Sequence, residues 1–233
     1  IAEKYGALCL NAFMGGKGPV SGITGLYYFN QREVAPQVLG AMLERIARRG
    51  PDASGAWMQG VVGLANCLLW STPESLQEKL PLVSASGDCV IVADARVDNR
   101  AELLPQLGLA DRPAGEVTDS QLILAAYQKW GQDCLPHLVG DFAFAIWDKR
   151  SQTIFCGRDV FGVRPFYYYL SHDLFAFSSE IKSLLVLPEV SGNLNEAAIV
   201  DYMTEMFDDK TRTFYADIYR LAPGHSLTAS PRN

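Results

Sequence analysis

The chain has 233 residues, 48% of them hydrophobic and 20% charged, with a formal net charge of −6, the profile of an ordinary globular protein with ample length to bury a core. The acidic balance excludes binding to a phosphate backbone, which needs a clustered positive face, and the densest basic group is only Arg45, Arg48 and Arg49. No apolar run approaches the ~20 residues of a membrane-spanning helix.

Residues 1–20 read differently from the rest. Ala7-Leu8-Cys9-Leu10 is a short apolar patch broken by Asn11, and Gly15-Gly16-Lys17-Gly18-Pro19 reads as a tether; a signal peptide needs a longer apolar centre. A pro-segment, an extension and a disordered arm all remain open. Ser21-Gly22-Ile23-Thr24-Gly25-Leu26-Tyr27-Tyr28-Phe29 then puts a hydroxyl residue at the open end of a buried strand.

Val34 to Arg49 carries apolar residues at helical spacing, with cations at the end that suits the dipole and Gly50-Pro51 as a stop. Trp57 to Trp70 predicts a hairpin turning near Gln59-Gly60, and Cys89 to Val97 a further strand. Asp119 to Trp130 predicts a second helix, with Asp119 as its cap and Leu122, Ile123, Ala126, Tyr127 and Trp130 on its buried side. Short strands follow at Phe142–Trp147, Thr153–Gly157, Pro165–Leu170 and Leu174–Ser178, and helices near 179–187 and 195–206 close the unit. Strands joined by tight turns, with helices between groups of them, predict an α+β fold with mostly antiparallel sheets covered by helices.

The five cysteines (Cys9, Cys67, Cys89, Cys134 and Cys156) are scattered, odd in number and without a CxxC spacing. That pattern predicts reduced thiols and a cytoplasmic location. With only three histidines, no metal site is expected.

Several motifs stand out together: Arg49-Gly50-Pro51-Asp52, Asp94 to Asn99, Gly140-Asp141-Phe142-Ala143-Phe144-Ala145, Gly157-Arg158-Asp159, Gly162-Val163-Arg164-Pro165-Phe166-Tyr167 and Ser178-Ser179-Glu180-Ile181-Lys182. From Ser21 to about Leu227 they resemble the N-terminal class II glutamine amidotransferase domain, of N-terminal-nucleophile type, of the asparagine synthetases. Ser71 to Ser75 and Ala93 to Arg100 are more similar to a divergent branch that includes the lasso-peptide cyclases. The resemblance implies a four-layer αββα sandwich over 21–227, with 228–233 starting a linker to a synthetase domain. The Ser-Gly-Gly-x-Asp-Ser loop of such a domain does not occur in this sequence.

In that family an N-terminal Cys attacks the glutamine side-chain amide, with its own α-amine as the base. An Asn side chain and a Gly N–H form the oxyanion hole, an Arg binds the substrate carboxylate, and Glu and Asp hold its ammonium. Carried over by position, the Cys falls on Ser21, the Arg on Arg49, the Asn-Gly-Glu triplet on Asp94-Ala95-Arg96 and the Asp on Asp119. Arg49 and Asp119 match; Ser21, Asp94 and Arg96 do not. An ionised Asp94 sets negative charge where negative charge must develop, Arg96 would set a cation beside an ammonium, and Val20 acylates the Ser21 nitrogen.

The resemblance therefore implies a domain that has lost glutamine hydrolysis and serves as the structural and docking half of an ATP-dependent amide-forming enzyme. It implies no cofactor in this domain, ATP and Mg²⁺ belonging to the synthetase half. The partners it implies are that C-terminal half, glutamine, and by branch analogy a precursor peptide. Two alternatives stay open: an active glutaminase that uses Ser21 after removal of residues 1–20, and a stand-alone interaction protein. The loops at Phe161–Phe166 and Ser178–Lys182 are expected to carry the docking face, with Phe161 and Phe166 either exposed there or packed in the core.

Overall fold

Buried apolar residues alternate between the two faces of two antiparallel sheets in the computed structural model, which describes residues 20–206 and 208–231. The expected arm over residues 1–20 lies, but for Val20, outside the described residues, as do the last two residues of the expected linker.

Strand β1 (Gly22–Tyr28) is buried along its whole length. It runs between β3 (Val62–Leu68) and β9 (Leu174–Ser178), Gly22 opposite Cys67 and Thr24 opposite Ser178. The six-stranded sheet is completed by β2 (Ala53–Gln59) beyond β3, and by β8 (Tyr167–Leu170) and β10 (Ile218–Arg220) beyond β9. The second sheet runs β11 (Ser226–Ala229), β7 (Thr153–Arg158), β6 (Gly140–Asp148), β5 (Cys89–Val97), β4 (Leu82–Val83).

The two sheets stack face to face. Ile23 and Tyr27 of β1 and Leu64 of β3 meet Val90 and Val92 of β5 and Ala145 and Trp147 of β6 in one apolar layer. On the outer face of the first sheet, Leu26 and Tyr28 pack on Leu39 and Met42 of helix α1 (Pro36–Ile46). On the outer face of the second, Ile91, Ala93 and Phe144 pack on Leu103 of α2 (Arg100–Gln106) and on Leu122, Ile123 and Ala126 of α3 (Asp119–Trp130). Helix, sheet, sheet, helix: this is a four-layer αββα sandwich.

Several expectations change in detail. Helix α1 starts at Pro36, whose ring suits the first turn, and ends at Ile46, so Arg48 and Arg49 lie past it. The helix expected near 179–187 is one short turn, α4 (Ile181–Leu184), and that near 195–206 is α5 (Glu196–Met203), capped by the Asn195 side chain on the Ala198 amide at 3.1 Å. The hairpin turns at Gly60, whose φ of 55° falls in the left-handed region open to glycine.

Asp119 is not the cap of α3. Thr118 is, with its hydroxyl accepting from the Gln121 amide at 3.3 Å while Gln121 Oε1 accepts from the Thr118 amide at 3.1 Å, a reciprocal capping box. The two neighbours are both good caps by type, and the box needs a glutamine three residues on, which only Thr118 has.

The two phenylalanines of the 161–166 loop divide between the alternatives. Phe166 is 0% exposed and stacks on Phe177 at 5.3 Å between centroids, whereas Phe161 is 84% exposed. The four described cysteines are free and buried. No helix among the described residues is long and apolar enough to cross a membrane.

Candidate functional site

Ser21 sits at the open end of β1, immediately before Gly22, and its Oγ accepts a hydrogen bond from the Leu69 amide at 3.0 Å. The Ser21 carbonyl accepts from Arg49 Nε at 3.0 Å. Arg49 reaches this point because the chain turns sharply after α1: a Cβ on Gly50 would stand 2.5 Å from the Leu68 backbone, so glycine lets the turn press against β3. Gly22 gives way on the other side, where a Cβ would meet Arg49 Cδ at 3.0 Å.

Arg49 is buried, and its two terminal nitrogens face carboxylates. One lies 3.3 Å from Glu180 Oε1 and the other 3.6 Å from Asp94 Oδ2. The first is a hydrogen bond; the second is an ion pair too long to be one. Asp94 is 2% exposed, and its Oδ1 lies 3.5 Å from Arg164 Nε. Burial pushes the Asp94 carboxyl up to about 6 although both guanidiniums pull it down, and Oδ2 receives no hydrogen bond.

Arg164 is held there by its own loop. The Asp159 carboxylate accepts from the amides of Phe161, Val163 and Arg164 at 3.1, 2.9 and 3.1 Å. Arg158, likewise buried, donates to the carbonyls of Gly162, Arg164 and Leu221. The Gly157-Arg158-Asp159 motif is thus a scaffold for the 159–164 turn, with Val160, Phe161 and Val163 outward and Arg164 against Asp94.

Freed from capping, Asp119 is buried and accepts from the Val97 amide at 3.2 Å and from Arg100. Burial raises its pKa, with Arg100 and the Val97 amide acting against the rise. Beside it, Glu78 Oε2 accepts from the Ser120 amide at 3.3 Å. Burial raises Glu78 too, and hydrogen bonds from Thr118 and Ser120 oppose it.

A cleft of about 200 Å³ brings together Ser21, Asp94, Ala95 and Asp119, along with Glu78 and Arg164. Arg49 forms a wall behind it, joined to Ser21 and Asp94 but outside the lining. Arg96 stays apart. Its side chain is 50% exposed and pairs with Asp98 at 2.9 Å and, across the β5–β6 pair, with Asp141 at 3.5 Å. The cation expected beside a bound ammonium is therefore spent on two acids outside the cleft.

Sequence reasoning missed Glu78 and placed Arg164 and Glu180 only in the loops of the docking face, not in this site. Their separations from their partners, 70 residues for Arg164 to Asp94 and 131 for Glu180 to Arg49, leave no local signal. Among the described residues, no group of three or more His, Cys, Asp or Glu side chains converges as a metal site.

Comparison with known proteins shows what the chain is similar to. The family model for the glutamine amidotransferase domain matches residues 20–233. Asparagine synthetase [glutamine-hydrolyzing] 3 of Bacillus subtilis is 29% identical over 216 residues, covering 90% of this chain and 34% of the relative. Amidase chry2 of Gibberella zeae is 28% identical over 191 residues, covering 81% of this chain and 28% of the relative. The chain therefore spans about a third of the length of such relatives. Among solved structures, the glutamine phosphoribosylpyrophosphate amidotransferase of B. subtilis superposes with a TM-score of 0.57 at 17% identity, over 71% of this chain and 43% of that one. That likeness concerns the fold alone.

Proposed function

Because the chain belongs to the glutamine amidotransferase domain family, as the class II domain of an asparagine synthetase-like protein, we propose that it is the docking half of an ATP-dependent amide-forming enzyme and no longer hydrolyses glutamine. Asp94 is the observation that carries this reading. Its carboxylate lines the cleft with Ser21, is nearly inaccessible to water, and faces the guanidiniums of Arg49 and Arg164, which favour its ionised form. An oxyanion hole needs a donor at the place where negative charge develops, and an ionised carboxylate supplies the opposite.

Two further features support it. Ser21 nitrogen is in peptide linkage with Val20, so this chain as written has no α-amine to take the serine proton. Arg49, the residue that the family resemblance assigns to the substrate carboxylate, is buried and engaged by the Ser21 carbonyl, Glu180 and Asp94.

For docking, the support is the 159–164 turn. Val160, Phe161 and Val163 stand outward as an apolar projection, the kind of contiguous surface that marks an interaction site. The partner we propose is a synthetase domain in the same polypeptide.

One observation favours the rival reading of an active glutaminase: the Ser21 hydroxyl is fixed at the cleft mouth by the Leu69 amide. Ammonia release from glutamine by the purified chain, read together with the mass of its native N-terminus, tests the two. Background release from an uncut chain is expected. Steady turnover that Ser21→Ala abolishes, from a chain beginning at residue 21, would establish the rival.

A further inference from the structure

Helix α5 (Glu196–Met203) buries none of its residues. Eight residues are too few to hold a helix in water by themselves, and in proteins such helices are stabilised by packing of an apolar face. On the side where Ala198, Asp201 and Tyr202 face the groove, Tyr202, Met206 and Phe214 are exposed apolar residues, while Val200 and Met203 are exposed outside the groove. Tyr202 and Phe214 meet edge to face at 5.4 Å between centroids and border a groove of about 320 Å³ that Met206 also lines.

Charged residues frame this apolar centre. Asp201, Asp209, Lys210, Arg212 and Arg220 all line the groove, and Arg212 pairs with Asp209 and with Asp201 at 3.5 Å. An apolar middle inside a rim of both signs is the anatomy of a protein interface. The helix is also formed in advance, its first turn fixed by Asn195 on the Ala198 amide.

The occupant follows from chain length and position. This chain corresponds to about a third of its relatives, so in proteins of that kind further polypeptide is present. The last described residue, Pro231, stands eleven residues past Arg220 on the groove wall. At ~3.3 Å per residue, the thirteen residues from Arg220 to residue 233 let whatever follows start within ~43 Å of the groove.

We propose that the groove beside α5 is the seat of the polypeptide that follows residue 233, a second docking surface separate from the 159–164 turn. The inference rests on the reading of this domain as a docking half, and names where the second half sits. A partner that bridges both surfaces holds the two-sheet body at the turn and at α5 and fixes its own orientation.

Hydrogen–deuterium exchange on the 233-residue chain and on the longer product of its own reading frame tests this. Amides of 196–206 should exchange rapidly in the short chain and at least tenfold more slowly in the long one. Met206→Asp, on the groove lining, should restore rapid exchange there in the long chain and leave the melting temperature of the short chain unchanged. Equal exchange of 196–206 in both chains overturns the assignment. Protection at 160–164 alone overturns it too but leaves the docking reading standing, and protection at neither place overturns both. A reading frame that ends at Asn233 removes the occupant and overturns the inference.

Discussion

Arg49 Nε donates to the Ser21 carbonyl at 3.0 Å, so the guanidinium that the family resemblance assigns to a substrate carboxylate is bound to the backbone of the candidate nucleophile. Its other nitrogens serve Glu180 and Asp94. Arg49 here ties three elements together: the turn after α1, the start of β1 and the end of β5. Removing it leaves Asp94 buried with one fewer counter-charge and the Ser21 carbonyl without its donor.

Arg49→Ala should therefore destabilise the fold by about 3–5 kcal/mol, the range for breaking a buried ion pair from one side. Urea unfolding of the two proteins reads this directly. A loss under ~1 kcal/mol would show that the arginine is kept for a ligand instead.

Asp94 gives a pH dependence of defined sign. Its carboxyl is raised from the unfolded value of about 3.9 to about 6, so between those values the folded state holds a proton that the unfolded state has released. The contribution is largest below pH ~4 and is lost as pH rises through ~6, a swing of about 3 kcal/mol. Asp94→Asn removes the titration. The stability of the variant relative to the parent should rise from pH 4 to pH 7, and parallel stability curves would contradict the assignment.

Much of this architecture was legible because burial and periodicity coincide. β5 (Cys89–Val97) and α3 (Asp119–Trp130) have the predicted bounds, since each is an apolar pattern closed by polar residues. The pattern fails where the chain is irregular. In the 159–166 segment nothing alternates, so Phe161 and Phe166 looked alike; only the fold shows that one projects and the other stacks on Phe177. In the site, Ser21, Asp94, Ala95 and Asp119 were found by position within a motif pattern, and they share one cleft. Arg96 lies outside that cleft, and its pairing with Asp98 and Asp141 has no signal in the motif because it depends on β6 and the following turn.

The two phenylalanines give a matched pair of experiments. Phe166→Ala should cost about 3–5 kcal/mol, as expected for a fully buried ring. Phe161→Asp should change unfolding stability by less than ~0.5 kcal/mol while weakening association with a downstream half. Thermal melts separate the two, and a strongly destabilised Phe161→Asp protein would remove the turn from consideration as a docking surface.

The capping box offers a check on the local structure beside the site. Thr118→Ala should lower stability by about 1 kcal/mol by uncapping α3. Asp119→Ala should cost more, because it leaves Arg100 and the Val97 amide without their acceptor. If Thr118→Ala proves silent and Asp119→Ala alone matters, the helix is capped by the aspartate after all.

Glutamine hydrolysis by Ser21→Cys in the uncut 233-residue chain puts the greatest strain on this account. A thiol restores the stronger nucleophile and nothing else. The α-amine is still acylated by Val20, and Asp94 still faces the cleft. Ammonia release at background level, with unchanged unfolding stability, is the expected result. Steady, glutamine-dependent release of ammonia by that single variant would contradict the claim that Asp94 and the blocked nitrogen silence the site.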